Sequence, residues 1–302
     1  MTDPLFPPPG STDIALSVRT HDRVGERRVD EEWLAQAWSA PSTRIVALAV
    51  TQFPVTDLGD AVRWQTAGAL PSTGLRLFLG ERDGAPHFAL VVQEPIDDRR
   101  WTSLRGVVHT LSEPDAGFMV HAVALAEWHA SHRFCPRCGG GLEATVAGHV
   151  LVCEQCRRQQ FPRSDPAVIM LVTDGERALL GRQPAWPEGR YSTLAGFVDP
   201  GESLEEAVVR EVAEETGVRV EGVSYFGNQP WPFPQSLMIG FFARAVSTEI
   251  SVDGTEISDA RWFSREEMRA EAEAGTLMLP GGISISRSLV EAWYGARLPG
   301  SW

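Results

Sequence analysis

Four carboxylates crowd one short stretch, Arg210-Glu211-Val212-Ala213-Glu214-Glu215 with Glu202 upstream. At 100° per residue, Leu204, Val208 and Val212 share one sector of a helix, Glu211 and Glu215 fall in that sector, and Glu214 sits at its edge. A solvated acidic helix would carry its glutamates opposite the apolar stripe. Carboxylates held close together and partly buried repel one another and resist ionisation unless a cation joins them. A divalent ion of the Mg²⁺ kind, with oxygen ligands and a phosphate substrate to share, resolves the conflict. The bland alternative is an amphipathic helix with incidental glutamates.

The whole window from Gly196 through Glu202, Arg210-Glu211-Val212 and Glu214-Glu215 to Gly217-Val218 resembles the Nudix box. Nudix hydrolases cleave a nucleoside diphosphate linked to another moiety. Downstream, Asn228-Gln-Pro-Trp-Pro-Phe-Pro-Gln-Ser236 alternates prolines with aromatics. Prolines fix φ and push each preceding residue into an extended conformation, so Trp231 and Phe233 are expected on a stiff platform suited to a flat ring. Taken alone, the segment could equally be a proline-rich docking element. After a Nudix box it is similar to the Ser-Gln-Pro-Trp-Pro-Phe-Pro-x-Ser array of the NADH pyrophosphatase (NudC-like) subfamily.

The elements that must position these residues follow from the rest of the chain. All four cysteines lie together as Cys135-Pro-Arg-Cys138 and Cys153-Glu-Gln-Cys156. Paired Cys-x-x-Cys knuckles at this separation predict a zinc ribbon whose closed Cys₄ set leaves no open position for catalysis. A redox pair would use a single Cys-x-x-Cys, and cytosolic disulfides are rare. His121, His129 and His132 on the preceding predicted helix (115–132) are read as surface or packing residues.

Apolar runs predict strands at 45–50, 75–78, 87–92, 167–172, 178–180 and 238–242, with turns at Arg82-Asp-Gly84 and Asp174-Gly175. A short helix is expected around Trp33 and Trp38, one opening with the capping box Ser264-x-x-Glu267, and one over 285–293. Strands alternating with helices imply an α+β architecture. The expected fold is a Nudix mixed-sheet α/β/α sandwich over 164–302, a Cys₄ zinc ribbon over 131–163, and an N-terminal α+β domain over 1–130. That first domain carries no recognisable chemistry and is read as structural or dimerising; residues 1–11 read as loose.

The formal charge of −13 argues against a broad nucleic-acid-binding surface. No apolar run is long enough to span a membrane and the N-terminus does not read as a signal peptide, so a cytoplasmic protein is expected. All 27 basic residues are arginine, which speaks of genome composition and not of function.

The resemblance implies hydrolysis of NADH or NAD⁺ to NMNH or NMN plus AMP, removal of NAD caps from RNA 5′ ends, and a homodimer whose site draws on both chains. By position it assigns Mg²⁺ or Mn²⁺ to Glu211, Glu214, Glu215, Glu256 and the Ala195 carbonyl, and Zn²⁺ to Cys135, Cys138, Cys153 and Cys156. It places Phe197 on the nicotinamide and wraps the dinucleotide in Gln229, Pro230, Trp231, Pro232, Phe233, Pro234, Gln235 and Ser236. Phe161 stands where a substrate-binding tyrosine is common, Ser286 where alanine is usual, and Asn228 where the array begins with serine. Arg210 is expected to orient the glutamates with Glu202 as counter-ion, and Glu215 is the favoured general base. The competing functions are a Nudix hydrolase for ADP-ribose or another dinucleotide and, from a different class, a non-catalytic NAD(H) sensor or zinc-ribbon RNA-binding module.

Overall fold

A computed structural model of the chain describes residues 14–17, 19–252 and 254–300. The proline-rich start expected to be loose lies outside them. The chain divides into two units, one spanning 19–164 with 231–235, the other 14–17, 165–230 and 236–300.

The first unit holds a five-stranded sheet ordered β3-β4-β1-β2-β5, from β1 (Arg44–Ala49), β2 (Gln52–Pro54), β3 (Leu75–Arg82), β4 (Ala85–Val92) and β5 (Trp101–Ser103). β3 and β4 turn at Asp83-Gly84, both at positive φ, so glycine suits the second position without strain. Helix α1 (Glu31–Ser39) is capped by Asp30, whose carboxylate accepts from Trp33 N at 3.0 Å. A single turn, α2 (Leu104–Val107), follows β5.

Helix α3 (Glu113–Ser131) starts two residues earlier than expected, because Ser112 caps it and Pro114 is accommodated in the first turn. Its burial is not confined to one face: Phe118, Met119, His121, Ala122, Val123, Leu125 and Trp128 are all buried. His121 is therefore a core residue. His129 Nε2 lies 2.8 Å from the Gly148 carbonyl and His132 Nδ1 3.1 Å from that of Trp128, both structural pairings. The same unit contains the ribbon, a three-stranded sheet of β6 (Leu142–Thr145), β7 (Val150–Cys153) and β8 (Gln159–Gln160).

The second unit carries a sheet ordered β12-β13-β9-β10-β14, with β11 paired to β9. Its strands are β9 (Asp165–Thr173), β10 (Arg177–Arg182), β11 (Leu194–Phe197), β12 (Val220–Trp231), β13 (Ser236–Ala245) and β14 (Asp259–Ser264). β9 and β13 run parallel, from Ser236↔Asp165 to Arg244↔Thr173. Helices α4 (Leu204–Thr216), α5 (Arg265–Ala274) and α6 (Ile285–Tyr294) complete it.

Two apolar clusters sandwich this sheet. Val168, Met170, Val172 and Phe241 pack with Ala207, Val208 and Val212 of α4, while Ile169, Leu171 and Phe242 pack with Ile285, Leu289 and Trp293 of α6. Period-two alternation in β9 sends successive side chains to opposite helices, which is why its sequence reads as one unbroken apolar run. The expected α/β/α arrangement is present. β12 carries no clean apolar alternation and was not among the expected strands; its pairing with β13 supplies what its sequence does not.

Candidate active site

Helix α4 begins where Ser203 and Glu206 exchange hydrogen bonds as a capping box, and ends at Gly217 with φ 70°. Ala207, Val208 and Val212 anchor it in the core at 0% exposure. That registration carries Glu211 and Glu215, one turn apart, inside with them, at 7% and 5% exposure. Glu214, at the sector's edge, stays 63% exposed along its side chain.

Gly196 on β11 makes the burial of Glu211 possible. A Cβ there would lie 1.9 Å from the Glu211 carboxyl carbon, so any other residue would evict the carboxylate. Arg210 then ties the acids together. Its Nε and Nη2 donate to the two oxygens of Glu202 at 2.8 and 2.9 Å, a bidentate fork. Nη1 donates to Glu211 Oε1 at 2.8 Å and Glu214 Oε2 at 3.0 Å, and Nη2 also reaches the Phe197 carbonyl at 2.9 Å. The guanidinium holds the Glu202 carboxyl below its usual range, and the acids in turn raise the pKa of Arg210. Glu211 moves the other way. Burial raises its pKa, the Glu214 and Glu256 charges add to the rise, and Arg210 opposes it only in part.

Gly196, Arg210, Glu211, Glu214 and Glu215 line a cleft of ≈ 590 Å³ that also takes in Ala167, Ala195, Phe197, Asp199, Ser236, Met238 and Glu256. Phe197 stands 60% exposed. Five carboxylates line this cleft, and Glu211, Glu214, Glu215 and Glu256, the first of them resisting ionisation, form a donor set of hard oxygens that suits a divalent cation. The fit is to an ion that displaces or supplements the Arg210 contacts.

The ribbon presents a second donor set. Its four Sγ atoms all lie within 4.8 Å of one another, with Cys135–Cys156 at 3.7 Å and Cys138–Cys153 at 3.5 Å. A tetrahedron with Zn–S bonds near 2.3 Å has edges of roughly 3.8 Å, so the spacing fits one zinc ion. Hydrogen bonding, led by the Cys156 N–H, lowers the Cys153 thiol to about 6, in favour of the thiolate a metal needs.

Comparison with known proteins matches three domains along the chain. Residues 163–278 match the NUDIX domain, 130–161 the NADH pyrophosphatase zinc ribbon domain, and 32–128 the NADH pyrophosphatase-like rudimentary NUDIX domain. A Mycobacterium bovis protein named NAD-capped RNA hydrolase NudC is 42% identical over 72% of this chain and 74% of its own. The Macaca fascicularis and Homo sapiens proteins named NAD-capped RNA hydrolase NUDT12 are 45% and 44% identical over 61% of this chain. The chain spans 42% of the length of each of those two.

This chain belongs to the NADH pyrophosphatase (NudC-like) Nudix hydrolases.

Within this Nudix hydrolase, the structure gathers Ala195, Phe197, Arg210, Glu211, Glu214, Glu215, Ser236 and Glu256 around one cleft. Glu256 arrives from the loop between β13 and β14, which spacing along the chain alone could not place. Other expected substrate residues are framework. Gln229 is 1% exposed; its amide donates to the Ala15 and Ile283 carbonyls at 2.7 Å and its oxygen accepts from Ile285 N at 3.0 Å. Ser286 is 1% exposed and its hydroxyl is engaged by Ser192 and Thr193. Both are buried, and their side chains are hydrogen-bonded within the fold. Gln229 fastens the end of β12 to the start of α6.

The proline–aromatic segment is not extended throughout. Residues 229–231 end β12, and 232–235 form the turn into β13. A four-residue return forces a hairpin. Trp231 and Phe233 therefore meet edge to face, 5.0 Å between ring centres, with the Arg105 guanidinium 4.5 Å over Phe233. Pro230 and Gln235 are half-buried, Pro232 is buried and Pro234 exposed. Asn228 donates to the Tyr225 hydroxyl at 2.8 Å, and Phe161 is 61% exposed beyond β8. Sequence reasoning passed over Asp199 and Met238 as cleft residues. Met238 was legible, since it lies two positions after Ser236 on the same strand face.

Proposed function

We propose that this protein hydrolyses the pyrophosphate of NADH or NAD⁺ to NMNH or NMN plus AMP, and removes NAD caps from RNA 5′ ends. The observation that carries the reading is the convergence of Glu211, Glu214, Glu215 and Glu256 with the exposed Phe197 ring on one cleft. The names of the relatives support the substrate class.

Those carboxylates and the Ala195 carbonyl would hold Mg²⁺ or Mn²⁺, which would supply neutralisation of the diphosphate charge and a more acidic water. The protein's own groups do the rest. Arg210 fixes Glu211 and Glu214 in place. Glu215 accepts the proton as water oxygen bonds to phosphorus; the bridging P–O bond breaks, and the departing phosphate takes its electron pair. Phe197 stacks on the nicotinamide. Zn²⁺ in the Cys₄ set holds the ribbon and takes no part in turnover.

The working protein is a cytoplasmic homodimer organised as 1–130, 131–163 and 164–302; among the described residues no helix is long and apolar enough to cross a membrane. Incubation with Mg²⁺ and equimolar NADH, NAD⁺ and ADP-ribose tests the reading. Release of AMP with NMNH or NMN ahead of ADP-ribose cleavage is expected. Preference for ADP-ribose overturns the substrate assignment, and binding of NADH without AMP release overturns the enzyme.

A further inference from the structure

The zinc ribbon is electrically unlike the protein that bears it. Residues 130–163 contain Arg133, Arg137, Arg157, Arg158 and Arg163 against Glu143 and Glu154, a net +3 in a chain of −13, which leaves the remainder at −16. Four of these arginines lie within two residues of a cysteine ligand: Arg133 and Arg137 at the first knuckle, Arg157 and Arg158 at the second. The knuckles are tight turns, closed by Gly139 N to Cys135 O at 2.9 Å and Arg157 N to Cys153 O at 3.0 Å. With the Sγ atoms gathered within 4.8 Å, the four arginines are borne on backbone that converges on one centre.

All four are exposed, and among the described residues none forms an ion pair. That sets them apart from Arg63, Arg177, Arg210, Arg244, Arg261, Arg269 and Arg287, each of which holds an acid. Beside them Phe134 is 69% exposed, on a backbone pinned by its bridge to Gly141. Unpaired guanidinia around an exposed ring are the chemistry that tracks a single-stranded polyanion: charge for phosphates, a π-face for an unstacked base. A folded duplex offers no such base.

We propose that the ribbon knuckles bind the single-stranded RNA chain that follows the NAD cap. The proposal rests on the reading of the protein as an NAD-cap hydrolase. In a chain of net charge −13, a patch of net positive charge is a favourable place for a polyanion to bind. The competing role for the same arginines is to offset the net charge of a zinc tetrathiolate, which is formally −2.

Equilibrium binding of a 5′-fluorescein single-stranded RNA to zinc-loaded protein in EDTA-free buffer without Mg²⁺, read by anisotropy, tests the proposal whether or not the protein turns over. Four phosphate contacts on a single strand give a log–log salt slope of about −2.8, a loss of roughly 50-fold between 50 and 200 mM KCl. The set R133Q/R137Q/R157Q/R158Q should lose affinity about tenfold or more at 50 mM and flatten that slope, while the matching four-lysine set retains it. Phe134→Ala should cost about fivefold or more on single strands and little on duplex RNA.

In turnover, the glutamine set should lower kcat/KM for NAD-capped RNA and leave NADH unchanged. Unaltered RNA binding by the glutamine set overturns the proposal. So does loss of zinc or a lower Tm in that set, which would assign the arginines to the metal. Failure of the wild type to cleave NADH, with RNA binding intact and arginine-dependent, overturns the hydrolase reading and leaves the RNA surface standing.

Discussion

The sheet β3-β4-β1-β2-β5 and the sheet β12-β13-β9-β10-β14 follow one plan. In each, a hairpin pair leads to a parallel partner, β4 beside β1 and β13 beside β9, and two antiparallel strands finish the order. The match of residues 32–128 to a rudimentary NUDIX domain states the same relation. The difference lies in one connection. Between β10 and β12, residues 183–219 carry β11 and α4; between β2 and β3, residues 55–74 carry only a turn of 3₁₀ helix at Ala67–Ala69. The strand plan is thus a scaffold, and one connection adds Phe197, Glu211, Glu214 and Glu215 to the cleft, with Glu256 joining them from the loop between β13 and β14.

The two units also bury ionisable groups with opposite results. The second buries carboxylates beside one another and is completed by a cation. The first buries imidazoles: His21 and His87 stack on Phe118 at 4.0 and 4.1 Å, and His121 lies 5.8 Å from His21 and 5.4 Å from His149. Burial lowers the pKa of all four, to about 4 for His21 and His149, with the positive charge of Arg23 adding to the effect at His21, His121 and His149. A neutral imidazole needs no counter-ion, so this cluster works as core.

Glu215→Gln is the strongest test of that contrast. It removes one metal-binding charge at nearly constant volume, and kcat should fall by roughly two orders of magnitude or more. The glutamine variant should melt no lower than wild type in EDTA. An active variant would mean that the α4 connection is not where the chemistry resides.

Gly196→Ala sharpens the same point from the opposite strand. The new Cβ displaces Glu211, so kcat should fall about ten- to hundredfold with weakened Mg²⁺ affinity, since a shift of about 1 Å can cost this much. An undisturbed metal titration would contradict the assigned role of the glycine.

Trp231→Ala should reduce kcat/KM for NADH about tenfold, within the range of a lost stacking contact. A simple nucleoside diphosphate should be affected less. Because Trp231 is half-buried against Phe233, Tm should be measured beside kinetics. A fall in Tm with equal loss on both substrates would make the tryptophan a packing residue.

The smallest expected effect is on pH-dependent stability. Folded-state pKa values below 6.5 mean that the unfolded chain binds more protons, so the histidine contribution is complete above pH 6.5 and is lost as pH falls towards 4. His21 faces Arg23 and Asp22, and His149 faces Arg23, Arg28 and His129. His149→Gln should flatten the decline in Tm between pH 7 and 5. Glu211 works in the reverse sense: its raised pKa means that metal-free stability is greatest below its unfolded pKa and is lost as pH rises through the folded value. An identical Tm–pH profile for His149→Gln and wild type would remove the histidines from this account.

The sequence by itself determined the features that depend on short-range spacing. The helical register that turns Glu211 and Glu215 inward, the Ser264–Glu267 capping box, the Asp83-Gly84 turn and the Cys₄ set all involve residues near enough in the chain for periodicity and ligand spacing to reveal them. Tertiary structure alone decided the rest. It brought Glu256 from a distant loop to the glutamates, turned Gln229 and Ser286 inward, folded Trp231 onto Phe233, and repeated one strand plan in two sequences that share no motif. Strand order and burial are set by which surfaces exclude water together, and that is a property of the packed chain and not of any window along it.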